Sequence, residues 1–301
     1  MVLKAEYTKD FATMLFQRLI DEWRLPIYGL TDTNGKTIDL KLTFKPEPKI
    51  ACTVVKLALF GVNIYAATSS LLSQEPNATY WFFFLTHWAT ILAVLYSAFS
   101  CMCMSVFSPI RTVTATDNDN DPEQATATAT TIEKITWGLF TTALIMELFI
   151  TVLFWVLVYP AEQNTIDFKT LYEHAILLCV VAFDGLFINR LPIRFKQIFL
   201  VNTALLSFLV WTIVHSQIEG LGNPGRSDND PETDDDALYE ILSWNQRPVG
   251  ALILAALLEF IGIPLFFLIC WLFSLLFPHR YLEAISDNDK DGFGEELPED
   301  A

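Results

Sequence analysis

Charged residues are scarce in this sequence, and basic ones are the scarcest. Only 18% of the 301 residues are charged, with 19 Lys and Arg against 35 Asp and Glu. The basic residues are scattered, so the chain lacks the positive patch that nucleic-acid binding requires. We therefore predict no nucleic-acid partner.

Cysteine and glycine are also few. The five cysteines lie within or at the edges of apolar segments rather than in loops, which argues against a disulfide framework. The twelve glycines are scattered and form no phosphate-binding loop. The run "CMCM" at 101–104 could be a soft-metal site, but packing or palmitoylation is commoner near the end of an apolar segment. We predict no cofactor and no metal.

Long apolar blocks fill the remainder of the chain. The composition is 52% hydrophobic, and the charges concentrate between the apolar blocks. Because a membrane-crossing helix needs about 20 apolar residues, the blocks predict an all-α integral membrane bundle of six transmembrane helices. The predicted spans are 50–73, 80–108, 135–159, 171–189, 195–215 and 249–277. Membrane lipids are the partners that this fold implies, and we expect the plasma membrane or the endoplasmic reticulum.

The distribution of Lys and Arg predicts the orientation. With the N-terminus inside, the cytosolic segments carry eleven of the basic residues near the spans and the opposite face carries three, Lys169, Arg226 and Arg247. This asymmetry favours an N-in, C-in topology. We expect no signal peptide, because the first 49 residues lack an apolar core of that type. The sequon at Asn77 then falls in the first outer loop.

Two polar regions flank the predicted membrane domain. Residues 1–49 form a cytosolic segment in which 8–25 has the spacing of an amphipathic helix, lying on the membrane surface or packed on the inner end of the bundle. Residues 278–301 form an acidic tail that we expect to be disordered. Acidic repeats occur at 117–123, 227–236 and 286–292. The last begins like a calcium-binding loop, but Pro298 occupies the position of the bidentate Glu, so we interpret the repeats as low-complexity sequence.

Several ionisable residues interrupt the predicted spans, and such residues often mark functional interiors. They are Lys56, His87, Glu147, His174, Asp184 and Glu259. In the second span, Thr86 begins a stripe of small and polar residues that a helix presents to its neighbours, continuing through Thr90, Ala93, Ser97 and Ser100. The same helical spacing rotates His87 away from this stripe. In the fourth span, Glu173 and Asp184 align, and His174 lies on the adjacent stripe.

Thr86 and His174 are expected at similar depth in the outer leaflet, so they form a candidate nucleophile and general base. A base that takes the hydroxyl proton would activate Thr86 toward an acyl substrate. The structural alternative is that Thr86 bonds to its own helix backbone and His174 lies among the lipid headgroups. His87 is a poorer candidate for the base, because adjacent residues on a helix face different directions.

Four segments resemble the Rolling stone family of multi-pass membrane proteins. They are "YWFFFLTHWATILAVLYSAFS" (80–100), "ITWGLFTTALIMELFITVLFWVLVYP" (135–160), "EHAILLCVVAFDGLFINRLPIRF" (173–195) and "LYEILSWNQRP" (238–248). The third is the most specific, with His174, Asp184, Asn189 and Arg190 at the family's spacing. The chain departs from the family at His87, where Asn is usual. The resemblance covers about residues 50–277.

This family is distantly similar to the androgen-induced family of integral membrane hydrolases. That family cleaves fatty acid esters of hydroxy fatty acids with an intramembrane Thr and His, which correspond to Thr86 and His174. The resemblance thus implies a fatty acyl ester substrate, with Asp184, Asn189, Arg190 and Glu173 as supporting residues.

Two other functions fit the same sequence. The first is a non-enzymatic role in adhesion, fusion or assembly, with the acidic outer loop 216–248 as the contact surface; Rolling stone proteins are named for a role in insect myoblast fusion. The second is a transporter that uses Glu147, Asp184 and Glu259, although paired helix-breaking glycines are not evident. The sequence does not specify which proteins would be the partners in adhesion, fusion or assembly.

Overall fold

The computed structural model describes residues 49–73, 78–105, 131–159, 166–218 and 237–276, together with Thr13, Gln17, Ile20, Trp23 and Ile27. Several sequence predictions lie outside these residues. They are the Asn77 sequon, the three acidic repeats, the acidic tail 278–301, most of the amphipathic helix 8–25 and most of the outer loop 216–248.

Six helices are long and apolar enough to cross a membrane, which confirms the predicted all-α fold of a multi-pass membrane protein. They are α1 (Lys49–Leu72), α2 (Leu85–Ser105), α3 (Thr131–Val158), α4 (Phe168–Ile188), α5 (Ile198–Ser216) and α6 (Pro248–Ser274). Short 3₁₀ turns at Ala78–Phe83, Phe195–Gln197 and Glu240–Leu242 precede α2, α5 and α6. The N-in, C-in orientation remains a prediction.

The second span begins later than the sequence predicts. Residues Ala78–Phe83 form a separate 3₁₀ turn, and the α-helix starts at Leu85. The Trp81 ring folds back and stacks on His87 with the ring centroids 4.4 Å apart. Thr86 therefore lies in the first turn of α2, so a depth counted along a continuous helix from Tyr80 does not apply to it.

Four π-helical turns interrupt the spans. They lie at Phe154–Val158 in α3, Tyr172–Ile176 and Phe183–Ile188 in α4, and Leu258–Gly262 in α6. The turns in α4 and α6 contain Glu173, His174, Asp184 and Glu259. Because π turns occur frequently at functional sites, their position on the ionisable residues of these two spans directs attention to the same residues.

Helix α3 is the central element of the bundle, and it packs against α2, α4, α5 and α6. Its apolar core joins large aromatic residues from α3, α5 and α6, all fully buried: Trp137, Phe140, Phe149, Phe208, Phe267 and Trp271. In this half of the bundle the contacts are aromatic and aliphatic.

The N-terminal segment contacts the start of α5. The Trp23 ring lies 5.7 Å from the Phe195 ring and 6.2 Å from the Phe199 ring, measured between centroids. At Trp23, this contact favours the interpretation in which the segment packs on the end of the bundle.

Candidate functional site

The buried face of α1 is mostly polar. Its buried residues are Lys56, Asn63, Ala66 and Ser70. The three polar ones recur every seventh residue and so lie on one side of the helix. Fourteen residues at 1.5 Å each carry this stripe about 21 Å along the helix axis. The polar side chains of α2 and α4 meet this stripe at three levels.

The first level lies near the Lys49 end of α1 and contains an ion pair. Lys56 Nζ lies 3.4 Å from Asp184 Oδ1 and donates hydrogen bonds to Ser100 Oγ (2.5 Å) and Asn189 Oδ1 (2.6 Å). Ser100 in turn donates to Asp184 Oδ2 at 2.8 Å. All four side chains are buried. Because an isolated charge is costly inside a membrane, the carboxylate and the ammonium stabilise each other there.

Asn189 closes this level because of how α4 ends. The Asn189 Nδ2 group donates to Tyr96 OH, Ser100 Oγ and Asp184 Oδ2 at 3.1 to 3.2 Å. The next residue, Arg190, has φ 51°, the left-handed conformation that commonly ends a helix. The Leu191 N–H then donates back to the Gly185 carbonyl at 2.8 Å. This termination leaves the Asn189 side chain facing the ion pair.

The chain after Arg190 is buried rather than looped out. Leu191, Pro192, Ile193 and Arg194 are all buried, and Trp137 of α3 donates through Nε1 to the Pro192 carbonyl at 2.6 Å. Gln197 Oε1 accepts from the Arg194 N–H and from the Thr141 hydroxyl. The connection from α4 to α5 is thus held against α3.

The second level is a short hydrogen-bonded chain. The Tyr172 hydroxyl of α4 donates to Asn63 Oδ1 at 2.5 Å, and Asn63 Nδ2 donates to Ser97 Oγ of α2 at 2.7 Å. Ser97 completes the chain by donating to the Ala93 carbonyl at 2.9 Å. These bonds link α1, α2 and α4 in the middle of the stripe.

The third level lies near the Leu72 end of α1 and centres on His87. His87 Nδ1 bonds to the Trp81 carbonyl at 2.5 Å, and since a carbonyl only accepts, Nδ1 carries the hydrogen. His87 Nε2 faces Glu173 Oε1 at 3.8 Å. The Glu173 carboxyl interacts with Ser70, which accepts a hydrogen bond from Trp81 Nε1 at 2.8 Å. His87 is therefore buried inside the bundle although it lies off the Thr86 stripe, because the 3₁₀ turn covers the first turn of α2.

Glu147 of α3 adds a carboxyl that interacts with one residue of the second level and one of the third. It is buried and interacts electrostatically with Glu173 and Tyr172. Within the described residues, Glu147 Oε1 and Glu173 Oε1 have no hydrogen-bond partner. We call the residues of the three levels the polar column: Lys56, Asn63, Ser70, His87, Tyr96, Ser97, Ser100, Glu147, Tyr172, Glu173, Asp184 and Asn189.

His174 lies beside the column in a well-defined aromatic environment. Its ring stacks on Phe154 with the centroids 3.5 Å apart and the planes 3° apart. Its carbonyl accepts from Trp155 Nε1 at 2.8 Å. Phe154 and Trp155 belong to the π turn of α3, so two π turns meet at this histidine. His174 Nδ1 is buried and has no hydrogen-bond partner among the described residues.

Thr86 and His174 are the sequence neighbours of His87 and Glu173, two residues that contact each other. Thr86 precedes His87, and His174 follows Glu173, which faces His87. Thr86 is half-buried, and its carbonyl accepts from the Thr90 hydroxyl at 2.9 Å. In the described part of the chain, the Thr86 hydroxyl makes no hydrogen bond with the His174 ring. Their pairing in catalysis therefore remains a prediction.

A tyrosine from the last connection positions the start of α2. The Tyr239 hydroxyl accepts from the Leu85 N–H at 3.2 Å, and its ring lies 6.0 Å from Phe84. Trp244, five residues on, donates to Thr212 Oγ1 of α5 at 3.0 Å. This contact explains why a Tyr and a Trp occur together before the last span, since both fix the connection against neighbouring helices.

The start of α4, next to the third level, carries charged residues. Lys169 donates to Ser73 Oγ at 2.9 Å and interacts electrostatically with His87, Glu173 and His174. Asp167, just outside the span, accepts from the Thr170 N–H at 2.7 Å. That hydrogen bond holds the pKa of the Asp167 carboxyl below its usual range. A cation and a helix N-cap thus lie at the start of α4, close to Glu173 and His174.

The supporting residues predicted from the sequence lie in three places. Asp184 and Asn189 meet at the ion pair, and Glu173 joins His87. Arg190 ends α4 in the left-handed conformation. Sequence reasoning missed the roles of Lys56, Asn63, Tyr96, Tyr172 and Tyr239. The seven-residue spacing of Lys56, Asn63 and Ser70 was the available signal for α1.

Glu259 does not belong to the column. It is buried in the π turn of α6, and Oε2 lacks a hydrogen-bond partner within the described ranges. The same ranges contain no group of three or more His, Cys, Asp and Glu residues that could hold a metal ion. The three carboxyls of the transporter hypothesis therefore separate into two column members and one isolated group.

Comparison with known proteins adds no name to this geometry. No protein-family model, curated protein or solved structure matches the chain.

Proposed function

We propose that this protein is an intramembrane hydrolase of fatty acyl esters, with Thr86 as the nucleophile and His174 as the general base. The observation that carries the proposal is the contact between His87 and Glu173, whose sequence neighbours are these two residues. The resemblance to the Rolling stone and androgen-induced families, which is part of the proposal, points to the same pair. The N-in orientation would place the pair toward the outer leaflet.

The chemistry follows from the two side chains. Thr86 Oγ attacks the ester carbonyl, and His174 takes the hydroxyl proton. The alcohol leaves with that proton, and an acyl-threonine forms. Water then attacks the acyl-threonine, His174 takes a proton from the water, and the fatty acid leaves as Thr86 is regenerated.

The surroundings of His174 support its role as a base. The Phe154 ring fixes the plane of the imidazole, and Trp155 holds the backbone carbonyl of the same residue. His174 Nδ1 has no competing partner in the described residues, which leaves it free for a substrate or a hydroxyl. Tyr239 is a positioning residue in this proposal, because it holds the first turn of α2.

Hydrolysis by the purified protein tests the proposal. Long-chain 4-methylumbelliferyl esters in detergent micelles report turnover by fluorescence. We expect Thr86→Ala and His174→Ala each to lower the rate at least about 100-fold, the usual minimum for losing a nucleophile or a base. Thr142→Ala is the matched control, since Thr142 is buried in α3 and donates to the Gly138 carbonyl of its own helix.

Covalent labelling gives a second readout. A fluorophosphonate probe should label the wild-type protein and the Thr142→Ala variant but not Thr86→Ala. Turnover and labelling that persist in both the Thr86 and the His174 variants would show that another residue, or another protein, is responsible.

A further inference from the structure

The polar column continues well beyond the Thr86 region. Its stripe on α1 runs about 21 Å, against a hydrocarbon thickness of about 30 Å. An ester hydrolase needs polar groups at one depth only. The first and second levels therefore require an explanation that does not depend on hydrolysis.

We propose that the polar column conducts protons across the membrane. The observation behind this is the juxtaposition of proton-exchanging groups from four helices, all of them buried. They are Lys56 of α1, His87, Tyr96 and Ser100 of α2, Glu147 of α3, and Tyr172, Glu173 and Asp184 of α4. Carboxyl, hydroxyl and imidazole groups can both accept and release a proton, which is what a relay requires.

The entrance lies at the third level. Lys169 and Ser73 mark the surface, and Glu173 faces His87 Nε2 at 3.8 Å. Since His87 Nδ1 holds its hydrogen against the Trp81 carbonyl, Nε2 is the nitrogen that exchanges a proton with Glu173. Glu147 and Tyr172 interact with Glu173 and lead inward.

The middle of the column is fixed by hydrogen bonds. Tyr172 donates to Asn63, and Asn63 donates to Ser97. An amide holds its neighbours in place but does not readily exchange protons. Ser97 and Ser100 are three residues apart on α2 and so are neighbours on its surface. A proton passes from the second to the first level along this face.

The exit is the ion pair. A proton that reaches Asp184 through the Ser100 hydroxyl neutralises the carboxylate and weakens its attraction for Lys56. The Lys56 ammonium then releases one proton toward the Lys49 end of α1, and the neutral amine recovers a proton from Asp184. One proton crosses and no other bond changes. The Lys56 charge repels metal cations, which favours protons over sodium or potassium.

Proton flux into proteoliposomes tests the proposal. Purified protein is reconstituted with internal pyranine, and a valinomycin-clamped potassium gradient drives protons inward. We expect wild-type flux at least tenfold above protein-free vesicles. Glu173→Gln and Asp184→Asn should each return the flux to near that baseline. Glu259→Gln is the matched control, because Glu259 is a buried carboxyl outside the column.

Each outcome decides the question. Flux no higher than in protein-free vesicles overturns the proposal, as does flux that survives both column substitutions. An equal loss in Glu259→Gln also overturns it, since the path would not be specific. If Asp184→Asn fails to fold, as judged by size-exclusion chromatography, Glu173→Gln decides the result alone, because Glu173 lies outside the ion pair.

Discussion

The first and last spans are both largely exposed to lipid, yet different contacts hold them in the bundle. The buried face of α1 consists of Lys56, Asn63, Ser70 and a single apolar residue, Ala66. The buried face of α6 includes Ile263, Phe267, Cys270 and Trp271 and packs against aromatic side chains such as Phe195. Polar bonds hold α1, and shape complementarity holds α6.

The difference shows how a bundle fixes helix positions where lipid is as apolar as the side chains. Without a hydrophobic driving force, close packing and interhelical hydrogen bonds must hold the helices together. Apolar packing positions α6 against the core. The hydrogen bonds of α1 also specify its rotation about its axis and its position along that axis. Lys56, Asn63 and Ser70 each bond to particular residues of the neighbouring segments, so a rotated or shifted helix would lose these bonds. That is the accuracy a functional polar path needs.

The largest expected effect follows from removing one charge of the ion pair. Asp184→Ala leaves Lys56 buried without its carboxylate, and breaking a buried pair in this way costs about 3 to 5 kcal/mol. Denaturation in detergent, followed by circular dichroism, measures the free energy of unfolding. Glu259→Ala in α6 should cost much less, since Glu259 has no ion-pair partner among the described residues. Equal losses in the two variants would remove the distinction between the first and last spans.

The close approach of α3 and α4 gives the next effect. A Cβ atom at Gly185 would lie 1.8 Å from Phe140 Cε2, so Gly185→Val should cost about 1 to 3 kcal/mol by overpacking. Gly61→Ala on α1 is the control, because nothing lies within 4 Å of its Cβ position. That variant should be neutral or more stable, by up to about 1 kcal/mol. The same unfolding assay would contradict the packing if Gly185→Val were as stable as the wild type.

A single interhelical hydrogen bond should have a smaller effect. Tyr172→Phe removes the donor to Asn63 Oδ1 and should cost about 0.6 kcal/mol, the average for such bonds in a membrane. Asn63→Ala should cost more, since it also removes the bond to Ser97. A larger loss in Tyr172→Phe than in Asn63→Ala would show that the bonds at the second level are not as described.

The smallest effect concerns the N-cap of α4 and depends on pH. Because the pKa of the Asp167 carboxyl is lowered in the folded protein, its contribution is present above the usual Asp pKa. The contribution is lost as the pH falls through the folded-state pKa. Asp167→Ala should cost about 0.5 kcal/mol at pH 7, at the low end for a cap, and less at pH 2. Thermal unfolding at the two pH values checks this, and a cost that is as large in acid would contradict it.

The sequence predicts the spans well because hydropathy over about 20 residues depends only on local composition. Four of the five residues of the predicted polar stripe of α2 are buried, Thr90, Ala93, Ser97 and Ser100, and Thr86 is half-buried. Regular helical spacing predicts which residues share a face, and it holds wherever the helix is regular.

The prediction fails where the backbone departs from a regular α-helix. The 3₁₀ turn before α2 buries His87, and no periodicity argument anticipates a segment folding back over a helix start. The π turns around Glu173, His174, Asp184 and Glu259 change the local rotation of α4 and α6. The partners of Lys56 come from α2 and α4, so they depend on tertiary packing that a single sequence does not specify.

A double-mutant cycle on Lys56 and Asp184 tests the central claim most directly. Lys56→Met, Asp184→Leu and the double variant are unfolded in the same detergent, and the coupling energy is taken from the four free energies. If the ion pair holds the first span in place, each single variant should be less stable than the double variant, because each leaves one buried charge without its partner. Strictly additive losses would mean that the two residues do not interact and would contradict the account.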